Sequence, residues 1–323
     1  MARRALGPAT VLVVQAVEAM LDQPALVACS GGADSLALAA AAAVVGARKQ
    51  LSIRAAIVDH GLQAGSAEQA DAVVAELESL GLPASVLPVA VRRGGDGLEA
   101  AARDARYAAL AGAASAEEVV LLGHTLDDQA ETVLLGLARG SGPRSLSGMP
   151  DRRGRFARPL LGLRAATTRQ ACVELGLSAW IDPHNSERRF ARVRVRERVL
   201  PVLEAELGPG VAEALARSAA LLRADADLLD ELADAERANH PAPDLDCDRL
   251  AELPAALRGR VLRDWLRDVG ARDLSAVHLA GVAALATDWH GQRWAEVPGV
   301  RVVRRDGRLV AQSANSVAER ALR

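Results

Sequence analysis

The chain has 323 residues, half of them hydrophobic, and a formal net charge of −2, so two domains with packed cores are expected. Cys29, Cys172 and Cys247 lie far apart and form no CxxC pair. That excludes a zinc ribbon, a cluster site and a disulfide framework, and it fits a reducing cytosol. No stretch approaches the ~18 uninterrupted apolar residues of a membrane span.

The opening run, MARRALGPATVLVVQAVEAM, imitates a signal peptide, but Glu18 and Asp22 interrupt it. An amphipathic helix starting near Pro8 is the better reading. Residues 26–29 predict a short apolar strand and 35–45 a helix rich in Ala and Leu. A strand at 51–58 ends at Asp59. Residues 66–80 predict a helix with Ser66 as its N-cap and Gly81 as its stop. Then come a strand at 85–91, a helix at 97–114, a strand at 119–122 ending in Gly123 and His124, and a helix at 127–138.

Strands separated by helices of this length call for parallel pairing, and such sheets bind ligands beyond the carboxyl ends of their strands. Ser30 to Ser35, Asp59 with His60, and His124 to Asp128 all fall there.

Residues 140–154 read as a loop, followed by a short strand and a helix at 165–175. A loop at 179–189 precedes a helix from Val193 to about 206, and 211–238 reads as a long acidic helix. Pro241 and Pro243 make a break. Helices near 255–269 and 275–286 and strands at 294–297, 300–304 and 309–312 complete the chain. The expected class is α/β: a parallel-sheet domain over 1–205, a helical linker over 206–243 and a small α+β domain over 244–323.

Charge is unevenly spread. Residues 139–200 hold 14 Arg against five acids, and residues 201–253 hold four Arg against 13 acids. Two solvated faces that pair with each other would explain this; so would a polyanion partner for the basic segment.

The turn SGGADS, residues 30–35, ends a strand and opens a helix. Such a turn offers backbone N–H groups to an anion, and the helix dipole adds to this. It lacks the spacing and the lysine of a Walker A loop, and no GxGxxG fingerprint is present. Asp34 stands where many phosphate loops place a lysine. A carboxylate there is tolerable beside phosphates only with a cation or proton between them.

In GHTLDDQAETVLLGLARGSG, residues 123–142, His124, Asp128 and Glu131 fall within about 60° of one another on a helical wheel. Leu126, Val133 and Leu137 are expected on the core side. In LEAAARDARYAAL, residues 98–110, Glu99, Arg103 and Arg106 share a stripe opposite Ala101, Ala105 and Ala108. Alone, that stripe reads as an ordinary surface Glu–Arg pair. Arg188, Arg192 and Arg196 recur at i, i+4 and i+8, a stripe suited to phosphates or to the acidic helix that follows.

SGGADS resembles the SGGxDS signature of the PP-loop ATP pyrophosphatases, which have an adenine nucleotide alpha hydrolase-like fold. VDHGLQ (58–63), LEAAARDARYAAL, the 123–142 segment, RPLL (158–161) and AWIDPHNSERRFARVRVRERVLPVL (179–203) follow in order. Together they resemble the tRNA(Ile)-lysidine synthetase family, densely from about residue 25 to 205 and more loosely in the C-terminal unit. Two positions depart from the family pattern: Gln63 stands where an arginine is usual, and Val193 where an asparagine follows the arginine.

The resemblance implies a cytoplasmic ligase. It would adenylate the wobble cytidine of an isoleucine tRNA with a CAU anticodon, then join free L-lysine to it, releasing AMP and pyrophosphate. Decoding would change from AUG to AUA and identity from methionine to isoleucine. It implies ATP held by Ser30, Gly31, Gly32, Ala33, Asp34 and Ser35 with Asp59 and His60, and Mg2+ on Asp34. Asp34, His124, Asp128, Glu131 and Arg106 would be catalytic, with His124 a base near neutral pH. Arg103, Arg188, Arg192 and Arg196 would meet tRNA. A homodimer is compatible with the sequence but not dictated by it. Competing readings are a PP-loop tRNA 2-thiolation enzyme, which normally needs paired cysteines, and a non-catalytic nucleotide-binding module, which would not need the His124, Asp128 and Glu131 stripe.

Overall fold

The computed structural model describes residues 6–61, 65–90, 98–180, 189–240 and 243–313. The chain divides into two compact units, Met1–Leu222 and Arg223–Arg323.

The first unit begins with α1 (Pro8–Glu18), whose Thr10 and backbone N–H groups are capped by Glu174 at 2.7–3.2 Å. Alternating strands and helices follow: β1 (Ala25–Ala28), α2 (Ala33–Lys49), β2 (Ile53–Asp59), α3 (Ser66–Ser79), β3 (Ala84–Pro88), α4 (Leu98–Ala113), β4 (Val119–Leu122) and α5 (Leu126–Ala138). Then come α6 (Pro143–Leu146), β5 (Arg152–Arg153), β6 (Phe156–Ala157) and α7 (Ala165–Leu175). Next are α8 (Ala191–Arg194), a π-helical turn at Val195–Val199, α9 (Leu200–Leu207) and α10 (Val211–Asn239), within which the unit boundary falls.

The sheet order is β3-β2-β1-β4-β6-β5, parallel except for the β5–β6 pair. β1 and β4 are covered on both faces, which is why they read as unbroken apolar runs. The chain leaves β1 for β2 on one side and returns to β4 on the other. The gap between the carboxyl ends of β1 and β4 is therefore the switch point where such sheets bind ligands.

Several expectations change at this level. Gly65, not Ser66, precedes the first turn of α3. The loop expected at 140–154 contains α6 and runs into β5. These strands are two residues long and are specified by pairing rather than by their own pattern: Val120 N–H donates to the Arg155 carbonyl at 2.7 Å. On α5, Leu137 is 52% exposed, because α5 turns its Leu126, Ala130 and Val133 side inward. On α4, Ala108 is exposed and Leu110 is buried, with Tyr107 and Ala113 beside it against Phe156. The side chain of Glu99 lies outside the described residues.

The second unit holds β7 (Leu245–Asp246), α11 (Cys247–Glu252), α12 (Ala255–Asp268), α13 (Ala276–Thr287), β8 (Ala295–Val297), β9 (Val300–Arg305) and β10 (Arg308–Ser313). Its sheet is antiparallel, in the order β7-β10-β9-β8. Leu262, Trp265 and Leu266 of α12 pack with Leu279, Val282 and Leu285 of α13 over Val300, Val302 and Leu309. Trp265 is placed by its Nε1–H, which donates to the Pro243 carbonyl at 2.8 Å. Among the described residues no helix is long and apolar enough to cross a membrane.

Candidate active site

The site starts at the turn after β1. Gly31 has φ +83°, a conformation that favours glycine, and a Cβ there would meet Val73 at 2.5 Å. Gly32 is the N-cap of α2 in extended conformation, with no side chain capping the helix. The first-turn N–H groups are thus available to an anion, and the helix dipole favours one. The Ser35 side chain is engaged within the turn. It is buried, accepts from the Ser30 N–H at 3.2 Å and donates to the Gly32 carbonyl at 2.9 Å, closing the turn on itself. Ser30 remains exposed.

The turn after β4 packs directly on this one. A Cβ at Gly123 would lie 3.1 Å from the Asp34 carbonyl group and the Ser35 nitrogen. Glycine therefore lets two backbones touch, at the residue that precedes His124. Asp34 is largely enclosed and is contacted by the hydroxyl of Thr168 on α7. Desolvation pushes its pKa up to about 6; the Thr168 hydrogen bond counteracts this, and the charge of Asp128 reinforces it.

His124 is half-buried, and its buried Nδ1 has no hydrogen-bond partner among the described residues. Burial lowers its pKa to about 4. Asp128 opposes that shift, while Arg158, Arg103 and Arg106 add to it. The imidazole is therefore neutral at pH 7, able to accept a proton but a weaker base than its reference value implies. On this side Arg158 (5% exposed) donates to the Pro150 carbonyl at 2.9 Å and to the Tyr107 hydroxyl at 3.3 Å. Arg103 also reaches that hydroxyl at 3.3 Å and lies over the Tyr107 ring. Arg106 is exposed in area, yet its cation is disfavoured, first by the surrounding chain and then by Arg103.

The acids of α5 are occupied. Thr125 is the N-cap, and Asp128 Oδ2 accepts from its N–H at 2.8 Å and its hydroxyl at 3.0 Å. That capping box fixes the first turn. Glu131 is fully buried and receives Arg196 Nε at 2.6 Å and Nη2 at 3.2 Å, with Arg192 Nε at 3.8 Å. Arg196 also reaches Asp128 Oδ1 at 3.4 Å. Burial still leaves the Glu131 pKa raised, with Arg196 pulling it down.

So Arg192 and Arg196, expected to face phosphates or the acidic helix, turn toward α5, and Glu213 of the acidic helix takes a different arginine. Arg164 pairs with Glu213 at 2.7 Å and with Asp127 at 3.0 Å. A cavity of about 140 Å³ beside Glu131 is lined by Asp127, Arg164, Arg196, Pro201, Glu204 and Ala212, among others.

Asp59 and His60 stand at the carboxyl end of β2, with Asp59 Oδ1 accepting from the Gly61 N–H at 2.9 Å. Arg188 and Gln63 lie outside the described residues, and Val193 is buried. Thr168, Arg158 and Tyr107 were not singled out by sequence reasoning. Thr168 sits in an unremarked helix and is found only through the fold. Arg158 in RPLL and Tyr107, the chain's single tyrosine, did carry a signal.

Comparison with known proteins supplies the context. A PP-loop domain model matches residues 10–203 and a TilS substrate binding domain model matches residues 245–310. The tRNA(Ile)-lysidine synthase of Leifsonia xyli subsp. xyli is 54% identical over 293 residues, covering 88% of each chain. That of Salinispora tropica is 49% identical over 324 residues, covering 95% of this chain and 97% of the relative. Among solved structures, a tRNA thiolase of Methanococcus maripaludis superposes with a TM-score of 0.55 at 18% identity, over 67% of this chain and 79% of that one. At that identity the likeness shows the fold alone.

Proposed function

The chain belongs to the tRNA(Ile)-lysidine synthase family, and from that premise we propose how its switch-point residues divide the work of joining lysine to an RNA base. The enzyme is an ATP-using ligase that forms a C–N bond. In the proposed reaction the O2 of the wobble cytidine in a CAU-anticodon tRNA attacks the α-phosphate of ATP, and pyrophosphate leaves. The ε-amine of free lysine then attacks C2, the C2–O2 bond breaks, and AMP leaves.

The pyrophosphate end of ATP fits the 30–35 turn, where the first-turn N–H groups of α2 are left uncapped by any side chain and would meet an anion without a lysine. Mg2+ fits Asp34: its carboxylate is desolvated and has one hydroxyl donor, so a cation would relieve it. Bound there, Mg2+ would supply charge neutralisation for the leaving pyrophosphate.

Asp128 and Glu131 are the candidates for the lysine ammonium, and Arg196 is the cation now holding them. Lysine binding is then an exchange or sharing of cations at a site already built for one. His124, kept neutral, offers one N–H and one lone pair. That suits orienting the base and relaying a proton more than storing one. Arg103 and Arg106 provide the positive surround that a flipped-out cytidine requires.

The observation that carries this reading is the contact at Gly123, which sets the phosphate turn and the His124–Asp128–Glu131 segment side by side. The test is incubation of the protein with labelled lysine, ATP and CAU-anticodon tRNA. Label in RNA, with AMP and pyrophosphate released in equal amounts, supports it. ATP binding with no label in RNA refutes it. The relatives do not favour the thiolation alternative.

A further inference from the structure

Thr168 is fully buried on α7, and its hydroxyl has two acceptors within reach. One is Asp34 Oδ1; the other is the Ala165 carbonyl at 2.8 Å, one turn back on the same helix. A threonine satisfied by its own helix would need only the second. The hydroxyl has a single proton to give. An ionised carboxylate takes it in preference to a neutral carbonyl, because charge-assisted hydrogen bonds are about twice as strong.

Asp34 lies in the first turn of α2, a helix that no side chain caps. A carboxylate in that position is drawn to the unpaired N–H groups of its own helix. Folded back onto them, it would occupy the donors that a phosphate needs. Here Oδ1 goes to α7 instead, and among the described residues no hydrogen bond reaches Oδ2. Helix α7 is itself pinned on either side of Thr168. Asp127 of α5 accepts from the Ala165 N–H at 2.7 Å, and Cys172, one turn after Thr168, donates its thiol to the Ala33 carbonyl at 3.3 Å. Burial pushes the Cys172 thiol up to about 11, so it stays a donor. Thr168 and Cys172, at i and i+4 on one helix face, thus hold two consecutive residues of the phosphate turn.

We propose that Thr168 is a positioning residue of the ligation: its hydroxyl holds Asp34 Oδ1, leaving Oδ2 to a divalent cation and the first-turn N–H groups of α2 to pyrophosphate. The inference rests on the proposed function, in which Asp34 is the metal-binding acid, and adds the residue that sets the orientation of that acid.

The experiment measures Mn2+ bound to the full chain at fixed pyrophosphate, by electron paramagnetic resonance against a protein-free blank. Lysine transfer is followed in parallel across a Mg2+ series, and thermal melting serves as the fold control. Thr168→Val keeps the shape and removes the hydroxyl. It is expected to weaken Mn2+ binding about 10- to 100-fold and to raise the Mg2+ needed for half-maximal transfer, the usual result of removing a hydrogen bond from a ligating carboxylate. Thr168→Ser is expected to keep most of the affinity. Should Thr168→Val not fold, Thr168→Ala set against Thr168→Ser makes the same comparison with the methyl group absent from both. Mn2+ binding lost in Asp34→Asn but unchanged in a folded Thr168→Val protein overturns the inference and leaves the proposed function standing. So does a Thr168→Val protein that loses stability and transfer while keeping its metal affinity, since Thr168 is then structural. Mn2+ binding unmoved in Asp34→Asn overturns the metal assignment and the inference with it, while lysine transfer by the wild type decides the ligase reading separately.

Discussion

Asp34 and Glu131 both lie at the carboxyl end of the same parallel sheet, and the chain treats them differently. Asp34 meets the Thr168 hydroxyl and has its pKa pushed up to about 6. Glu131, fully buried, is held by Arg196 at 2.6 and 3.2 Å, with Arg192 behind it. A desolvated carboxylate without a paired cation is costly, and folds keep one where a ligand will supply the charge. A clamped carboxylate is part of the fold until something competes for its partner. On the proposed reading, the difference separates a carboxylate that would take a metal–phosphate group from one that would take an organic cation.

The largest effect that would sharpen this contrast is on activity at Asp34. Asp34→Asn should cut lysine transfer by about 10²–10³-fold, the loss typical of removing one key electrostatic group. Thermal melting should show the fold retained. Full activity in a folded Asp34→Asn protein would erase the distinction.

The clamp comes next. Arg196→Met leaves Glu131 buried with Arg192 at 3.8 Å, and should cost about 1–3 kcal/mol in denaturant unfolding. This lies below the cost of breaking a fully buried pair, because Arg196 is 45% exposed. The double variant Glu131→Gln with Arg196→Met should recover most of that stability without recovering lysine transfer. Recovery of both would make the pair merely structural.

Gly123→Ala places a methyl group against the Asp34 backbone. It should cost about 1–2 kcal/mol and lower kcat more than it raises KM for ATP, because it spreads the two turns apart. A silent Gly123→Ala would mean that their spacing is not critical.

The smallest effect is in pH dependence. The folded pKa of Asp34 is raised, so its ionisation destabilises the fold as pH rises from about 4 to about 6. His124 is lowered to about 4, so its contribution rises with pH between about 4 and 6.5. Over the shared window the two oppose each other. Relative to wild type, Asp34→Asn should gain stability as pH rises through that window, and His124→Asn should lose it. Parallel profiles for the two variants would contradict the assigned shifts.

The parallel sheet and its strand-end ligand positions were legible in the sequence because buried strands and glycine-rich turns leave local signals. SGGADS, GHTLDD and VDHGLQ each mark a strand end. Two-residue strands such as β5 and β6 carry no period of their own and depend on partners far along the chain. The site was legible as a set of residue types but not as a set of pairings. Helical spacing put Arg192 and Arg196 on one stripe, yet could not say that the stripe turns toward Glu131, since that depends on how α5 and the Val195–Val199 turn pack. Thr168 was invisible for the same reason: only the docking of α7 against α2 brings it to Asp34.

The most direct test of the contrast between the two acids is a carboxyl-carbon NMR titration of Asp34, identified by its loss in Asp34→Asn, with and without Mg2+ and pyrophosphate. The account predicts titration near pH 6 in the free protein and a fall of a unit or more when both are added. Titration near pH 4 in the free protein, unmoved by Mg2+ and pyrophosphate, would contradict it.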